Sequence, residues 1–133
     1  LAGDGAIAIQ STSPYHAKKA FMSIGKTLVA AGFTTEQYHA NVPTFGEWGW
    51  TIGVKQGQPA SSRIAAFEAM PIDNSWLSVQ QILAAFVFSP SYYKGLDSID
   101  VNELGSRAVY RYHHLGWRND GGIFFANNID LKD

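Results

Sequence analysis

The amino-acid sequence predicts an α/β fold, in which a strand–helix–strand unit is followed by an antiparallel hairpin strand and then by helices. Three patterns predict it. Residues 5–10 are a short apolar run, residues 17–31 repeat apolar side chains at helical spacing, and residues 34–42 and 48–54 have strand-like composition. The chain has 133 residues, of which 46% are hydrophobic and 16% charged, so we expect one domain with a buried core.

The first strand and the helix after it are predicted from their boundaries. Residues 5–10 follow a glycine-containing turn, and their apolar run predicts a buried strand. Ser13 can cap a helix start, and Pro14 suits the first helical position. Gly32 can end that helix in a left-handed conformation. Gly25 lies inside the helix, where glycine costs about 1 kcal/mol relative to alanine, so we expect another element to pack closely there.

The connections between these elements predict the topology of the sheet. A helical crossover from the first strand to the second predicts a parallel pair. The short loop at residues 43–47 predicts an antiparallel return by the third strand, at the sheet edge. Residues 1–54 are therefore expected to form a strand–helix–strand–strand core, and residues 55–133 a helical and loop extension of the same domain.

The extension is less regular than the core. Residues 55–62 are polar and glycine-rich, which predicts a surface loop. Ser78 is expected to cap a short helix that ends before Pro90. Residues 101–117 favour a further helix, and no element is assigned to residues 121–133.

Charge and composition exclude several classes of function. The net charge is −1 and there is no basic stripe, so binding of nucleic acid is not expected. The chain has no cysteine, which excludes disulfides and thiolate metal sites and suits a reducing compartment. No metal site is expected, because His113 and His114 are adjacent and diverge, while His16 and His39 lie far away in the sequence.

The sequence contains neither a membrane-spanning run nor a signal peptide. Its longest apolar runs, such as residues 82–88, are far too short to cross a bilayer. The chain begins at Leu1, directly before a strand-like run, which we interpret as a cut from a longer protein, with proteolytic maturation as the alternative. The chain by itself is expected to be cytoplasmic.

Residues 10–15, Gln-Ser-Thr-Ser-Pro-Tyr, are the first candidate for a binding site. They follow a predicted strand and precede a helix, and ligands of open α/β sheets bind at that edge. Side-chain amides and hydroxyls there can bind a substrate directly. The alternative is a capped helix start whose hydroxyls satisfy only backbone groups.

Residues 41–50, Asn-Val-Pro-Thr-Phe-Gly-Glu-Trp-Gly-Trp, are the second candidate. Glu47 lies among aromatic side chains around a tight turn, namely Phe45, Trp48 and Trp50. A carboxylate pairs with an ammonium group, and aromatic rings add a cation–π attraction of roughly 0.5–2 kcal/mol, so the stretch suits an aliphatic amine. The alternative is an aromatic sheet edge that covers the core, with Glu47 solvated.

Together these two stretches resemble the spermidine synthase (polyamine aminopropyltransferase) family. The family shows an apolar strand followed by Gln-Ser/Thr-Glu-Ser-Pro, and later Ile-Pro-Thr-Tyr-Pro-Ser-Gly before a strand that contains Trp or Phe. The sequence is most similar to a branch of the family that is fused to membrane-spanning segments. The resemblance is close over residues 3–54 and weaker over residues 64–117. The matching motifs are residues 10–14, 17–19, 30–33, 38–39 and 42–49.

The resemblance implies the C-terminal part of a Rossmann-like, methyltransferase-type catalytic domain. Members transfer an aminopropyl group from decarboxylated S-adenosylmethionine to putrescine or a longer amine, and methylthioadenosine leaves. Decarboxylated S-adenosylmethionine is thus a co-substrate, and no bound cofactor is expected. The resemblance also implies a membrane-anchored parent protein with this domain on the cytoplasmic side.

The family's binding residues carry over only in part. Gln10 matches the glutamine of the amine site, and Trp48 matches the aromatic residue that lines the amine channel. Thr12 stands where many members have an amine-binding glutamate. Phe45 stands where they have a tyrosine that supports removal of a proton. Glu47 is inferred, from the residues alone, to restore one negative charge nearby.

The family's catalytic residues are expected outside this chain. Its glycine-rich adenosyl loop, acidic ribose-binding residue and catalytic aspartate precede the strand that starts here, so the chain alone is expected to be inactive. The remainder of the parent chain is then a partner, and an exposed strand edge favours a homo-oligomer. Two alternatives stay open: a polyamine- or cation-binding module without catalysis, and a protein-interaction module in which Trp48 and Trp50 face a partner.

Overall fold

A computed structural model describes residues 1–119 of the chain. These residues form a three-stranded sheet and four α-helices, so the mixed α/β class predicted from the sequence is confirmed. A short 3₁₀ turn, Leu96–Ser98, lies between the last two helices. In chain order the elements are β1 (Ala6–Gln10), α1 (Lys18–Ala30), β2 (Thr34–Val42), β3 (Gly46–Val54), α2 (Ala60–Ala65), α3 (Val79–Ala85) and α4 (Ala108–Asn119).

The strands lie in the order β1–β3–β2, and both neighbouring pairs are antiparallel. The antiparallel hairpin of β2 and β3 is therefore confirmed. The predicted parallel pair is wrong: β1 and β2 run in the same direction, but β3 lies between them. Because the crossover through α1 leaves a gap one strand wide, the hairpin can fold β3 back into it. For the same reason β3 is the central strand of the described sheet, and the prediction that it lies at the edge is wrong.

β1 was predicted to be a buried strand, and within the described residues it is not. Ala6, Ile7 and Ala8 are exposed. The reason is that β3 pairs with one edge of β1 while no strand of residues 1–119 pairs with the other. An apolar strand with one free edge is thus part of the surface described here.

Helix α1 packs against one face of the sheet through glycine-lined gaps. A Cβ atom at Gly49 would collide with the ring of Phe21, and one at Gly53 would lie 2.6 Å from a Leu28 methyl carbon. Phe21 and Leu28 are both buried in this interface. Gly25 faces Gln37 across it, so the predicted close packing at Gly25 is confirmed.

The C-terminal end of α1 follows the local signal in the sequence, but the helix start predicted at Ser13 and Pro14 is wrong. The Ser13 hydroxyl accepts hydrogen bonds from the backbone N–H groups of Tyr15 and His16, which are 3.4 and 3.2 Å away. It therefore caps a first turn, and the regular helix begins only at Lys18. Gly32 has φ = 88°, as predicted for a helix that ends in the left-handed region.

The extension follows the sequence-based predictions in part. Ser78 caps α3 in a reciprocal arrangement with Gln81, as predicted. The predicted loop at residues 55–62 is wrong from Ala60 onward, where α2 begins. The helix predicted at residues 101–117 begins only at Ala108. The segment 121–133 lies outside the described residues, and among residues 1–119 no helix is both long and apolar enough to cross a bilayer.

Candidate functional site

The candidate site lies where β1 ends beside the start of β3. The strand register places Gln10 opposite Trp50, and Trp50 opposite Tyr38. Directly opposed residues of antiparallel strands point to the same face, so these three side chains form a row across the face of the sheet away from α1. The rings of Tyr38 and Trp50 are stacked, with centroids 5.5 Å apart. An amide thus stands beside two aromatic rings at the end of β1.

Thr12, just after the end of β1, has an uncommon backbone conformation. Its φ is 64°, in the left-handed region that residues with a Cβ seldom adopt. Two backbone hydrogen bonds to Gly49 fix it: the Ser11 N–H donates to the Gly49 carbonyl at 2.8 Å, and the Gly49 N–H donates to the Thr12 carbonyl at 2.7 Å. The Thr12 hydroxyl is buried and has no hydrogen-bond partner within residues 1–119. Strained residues and unsatisfied polar groups cluster at functional sites.

Trp48 and Phe45 form the aromatic side of the site. Trp48 lies two residues before Trp50 in β3, so it shares the face that carries Gln10. Its ring packs on that of Phe45, with centroids 6.0 Å apart, and Phe45 is 67% exposed. The Trp48 indole N–H is buried and, like the Thr12 hydroxyl, has no partner in the described part of the chain.

Glu47 points to the opposite face of the sheet. Its carboxylate lies 2.9 Å from His39 Nδ1, and the other ring nitrogen of His39 lies 2.9 Å from the Val87 carbonyl oxygen. His39 therefore links the tip of the hairpin to the segment after α3. The structure brings Gln10 and Trp48 to one face with Thr12 at the end of β1, but it does not bring Glu47 beside them.

An aromatic cluster on the α1 side of the sheet was not predicted. Tyr92 lies at its centre and contacts the rings of Tyr15, Phe21 and Phe88, with centroids 4.6–6.2 Å apart. The Lys18 ammonium lies 4.6 Å from the centroid of the Tyr92 ring. The sequence feature that could have indicated this cluster is the adjacent pair of tyrosines after Pro90. Two adjacent residues show neither helical nor strand periodicity, so the pair predicted no element.

The Tyr92 hydroxyl is buried under the site. It donates a hydrogen bond to the Pro14 carbonyl at 2.5 Å, and so fastens residues 89–93 to the turn that follows β1. Burial raises the pKa of Tyr92 above its ordinary value, and the nearby Tyr93 and Tyr15 add to this rise. The phenol therefore stays neutral and acts as a structural donor.

A separate groove runs along the outer edge of β2. It has a volume of about 500 Å³ and is lined by α1, β2 and residues of the segment 86–97. The Lys26 ammonium, which lines the groove, donates to the carbonyls of Leu96, Asp97 and Ile99, at 2.7–3.2 Å. Within residues 1–119 no cluster of three or more histidine, aspartate and glutamate side chains could hold a metal ion.

No protein-family model matches the chain, but curated proteins do. It is 46% identical over 123 residues to a polyamine aminopropyltransferase of Shewanella oneidensis. The aligned region covers 92% of this chain and 21% of the relative. Similarity extends to polyamine aminopropyltransferase 2 of Ralstonia nicotianae, 29% identical over 88% of this chain and 22% of the relative. A polyamine aminopropyltransferase of Leptospira interrogans is 31% identical over 82% of this chain and 20% of the relative.

These matches share one name and extend over most of the chain. They agree with the motifs at residues 10–15 and 41–50, which the strand register joins through the pair of Gln10 and Trp50. The chain spans about a fifth of the length of the curated relatives it matches. Over that span, the chain belongs to the polyamine aminopropyltransferase (spermidine synthase) family.

Proposed function

We propose that the chain is the C-terminal part of a catalytic domain that transfers an aminopropyl group from decarboxylated S-adenosylmethionine to putrescine or a related amine. In this proposal residues 1–54 are its strand–helix–strand–strand core and residues 55–133 its extension. Family membership supports the reaction class. The observation that carries the assignment of the amine side is the register that aligns Gln10 with Trp50 and Tyr38 on one face.

We further propose that the sheet is one end of a larger Rossmann-like, methyltransferase-type sheet. Two features support this. β1 and β2 run in the same direction and are joined by α1, which is the connection of a β–α–β unit. β1 also has an apolar edge that pairs with no strand in the described part of the chain, and a further strand of the parent protein would pair there. The remainder of that protein is then the first partner of this chain.

The site offers the chemistry that an aliphatic ammonium requires. The Gln10 side-chain carbonyl and the Thr12 hydroxyl oxygen can accept hydrogen bonds from N–H groups. The rings of Trp48 and Phe45 can pack against methylene groups and attract the positive charge. In the reaction the amine first loses a proton, its nitrogen then bonds to the carbon beside the sulfonium, and the carbon–sulfur bond breaks to release methylthioadenosine.

At the candidate site, residues 1–119 supply no proton acceptor for this step. Phe45 has no hydroxyl, Thr12 has no carboxylate, and the carboxylate of Glu47 is held by His39 on the opposite face. We therefore propose that Gln10, Thr12, Phe45 and Trp48 contact the amine, while Glu47 acts only through its charge. The catalytic base and the site for decarboxylated S-adenosylmethionine belong to other parts of the parent protein, which we propose to be membrane-anchored with this domain in the cytoplasm, and the chain alone is inactive.

Titration of the chain with putrescine and spermidine, followed by tryptophan fluorescence, tests the amine site. We expect a saturable change that is lost in Gln10→Leu and reduced less in Glu47→Gln. Trp76→Phe is the matched control, because Trp76 is 85% exposed in the loop between α2 and α3 and its loss should leave the response intact. Absence of any response to either amine, or an unchanged response in Gln10→Leu, would contradict the proposal and favour a protein-interaction module.

Release of methylthioadenosine tests the reaction. The chain joined to the upstream part of its parent protein should release methylthioadenosine from decarboxylated S-adenosylmethionine when putrescine is present, whereas the chain alone should not. If the joined protein bound amines but released no product with any of them, the chain would be a polyamine-binding module without catalysis.

A further inference from the structure

A chain of three buried polar side chains crosses the sheet under α1 and ends at the candidate site. The side-chain amide of Gln37 donates to Thr51 Oγ1 at 2.9 Å, and Thr51 Oγ1 lies 2.8 Å from Ser11 Oγ. Thr51 and Ser11 are fully buried, and Gln37 is 9% exposed. Each residue comes from a different strand or strand end, so the chain of hydrogen bonds joins β2, β3 and the end of β1.

The direction of every hydrogen bond among Gln37, Thr51 and Ser11 is fixed by the partners of these side chains. The Gln37 amide nitrogen also donates to the Phe21 carbonyl at 2.7 Å, and a carbonyl can only accept, so the NH₂ group must face that way. Ser11 Oγ donates to the Ile9 carbonyl at 2.9 Å, which uses its only proton. Thr51 must therefore donate to Ser11. The network has one arrangement of protons and leaves none of its donors unpaired.

Helix α1 is shaped to admit this network. A Cβ atom at Gly25 would lie 2.7–2.9 Å from the amide atoms of Gln37, so only glycine leaves room for that amide. The remaining acceptor of Gln37, Oε1, receives a hydrogen bond from the Tyr93 hydroxyl at 3.2 Å. A glycine inside a helix costs about 1 kcal/mol of helix stability relative to alanine. Gly25 thus makes room for the polar amide of Gln37 at a position where an apolar side chain would otherwise pack.

Buried polar networks add little net stability, since well-packed apolar residues of the same volume serve equally well. When fully satisfied, however, they select one geometry. The geometry selected here is that of Ser11, which lies between Gln10 and the strained Thr12. We propose that Gln37, acting through Thr51, is a positioning residue that fixes the Gln10–Thr12 end of β1 for amine recognition. This inference rests on the proposed function of the site.

Variants of Thr51 and Gln37 test this role in the full chain. Thr51→Val keeps the shape of the side chain and removes the hydroxyl, and Gln37→Met replaces the amide by an apolar side chain of similar length. We expect both to weaken the affinity for putrescine by about fivefold or more and to change the ratio of putrescine to spermidine affinity. Thr51→Ser, which keeps the hydroxyl, should restore both values.

Ser23→Ala is the matched control. The Ser23 hydroxyl is equally buried and donates to the Asp100 carbonyl at 2.6 Å, on the side of α1 that faces the segment before α4. Its loss should lower the free energy of unfolding by an amount similar to that in Thr51→Val but leave amine affinity and selectivity unchanged. If Ser23→Ala weakened amine binding as much as Thr51→Val, a merely structural role would explain both, and the inference would fail.

A second measurement separates this inference from the function of the site. Amide hydrogen exchange at Ser11 and Gly49 reports the geometry of the turn without any ligand, because these two N–H groups close it. We expect faster exchange at both in Thr51→Val and Gln37→Met, but not in Thr51→Ser or Ser23→Ala. Unchanged exchange in both variants would overturn the positioning role. If the wild-type chain bound no amine and exchange still increased, the proposed function would fail while the positioning role of Gln37 stood.

Discussion

Tyr92 shows how a single side chain can tie the extension to the candidate site. Its hydroxyl donates to the carbonyl of Pro14, in the turn that carries residues 10–15, while its ring lies in the aromatic cluster. The pKa of Tyr92 is raised, chiefly by burial, so the folded protein holds the phenol neutral at a pH where an unfolded chain would ionise it. This difference makes the stability of the fold depend on pH in the alkaline range.

Replacing Tyr92 by phenylalanine should therefore have two effects. At neutral pH the lost hydrogen bond should lower the free energy of unfolding by about 1–2 kcal/mol, because the buried Pro14 carbonyl loses its partner. Above about pH 10 the wild-type chain should lose stability as the unfolded state releases the phenolic proton, and the variant should lose less. Urea unfolding at a series of pH values measures both, and equal pH dependence in the two proteins would contradict the second.

Features of single residues that depend on near neighbours in the sequence were predictable, whereas features that depend on distant residues were not. Ser78 caps α3 as predicted, because a cap depends on residues within one turn of the chain. Ser13 caps only the turn before α1, which begins four residues later than predicted. The left-handed conformation of Thr12 depends on hydrogen bonds with Gly49, and the orientation of Glu47 depends on His39. Neither partner could be identified before the strand register was known.

At the scale of elements, α4 packs on α1 through a glycine. A Cβ atom at Gly116 would lie 2.6 Å from the carbonyl oxygen of His16 and 2.8 Å from the Cα of Ala17. These are backbone atoms of the turn before α1, which cannot move aside as a flexible side chain can. The ring of Trp117, the next residue, stacks on that of His16 with centroids 5.7 Å apart.

Gly116→Ala should consequently destabilise the chain even though alanine favours helices. The gain in helix propensity is about 1 kcal/mol, whereas a steric conflict with backbone atoms costs about 1–3 kcal/mol, so the conflict should win by a small margin. Thermal unfolding followed by circular dichroism measures the difference. Leu115→Ala is the control, because Leu115 is 48% exposed on the same helix and its truncation should cost less. A variant more stable than wild type would show that α4 does not pack this closely.

The sequence predicted the elements of the core better than their arrangement. The periodicity of residues 17–31 and the turn at residues 43–47 identify α1 and the hairpin, because both are encoded within about fifteen residues. The position of β3 between β1 and β2 depends on which strand fills the gap left by the crossover. That choice involves pairing between residues some forty positions apart, as for Gln10 and Trp50, and no local pattern records it.

One edge of β1 pairs with no strand of residues 1–119, and for the whole molecule this is the feature with the widest consequences. The Ser11 N–H donates to the Gly49 carbonyl in β3, and the Gly5 carbonyl accepts from the N–H of Lys55, directly after β3. Odd-numbered residues of β1 therefore point their backbone groups toward β3. Even-numbered residues, such as Ala8, then point theirs toward the free edge. An unpaired apolar edge is a template for pairing with another strand.

We therefore expect the isolated chain to self-associate, and we expect the resulting oligomers to dissociate on dilution. Ala8→Pro should abolish this association, because proline removes the outward N–H group while the hydrogen bonds to β3 remain. Sedimentation velocity over a range of concentrations measures the effect, and circular dichroism checks that the variant is folded. A wild-type chain that stays monomeric at every concentration, or a variant that associates equally, would contradict the expectation.

The position of β3 also determines when the sheet can form as the protein is made. Both strand pairs of the described sheet involve β3, which is the last of the three strands to be translated. While a ribosome is still adding residues 46–54, β1 and β2 have already been synthesised, but β3, their shared partner in the described sheet, has not. The sheet is then completed by the arrival of one strand in the space between two others, so neither β1 nor β2 can form its pairing within this sheet until residues 46–54 are available.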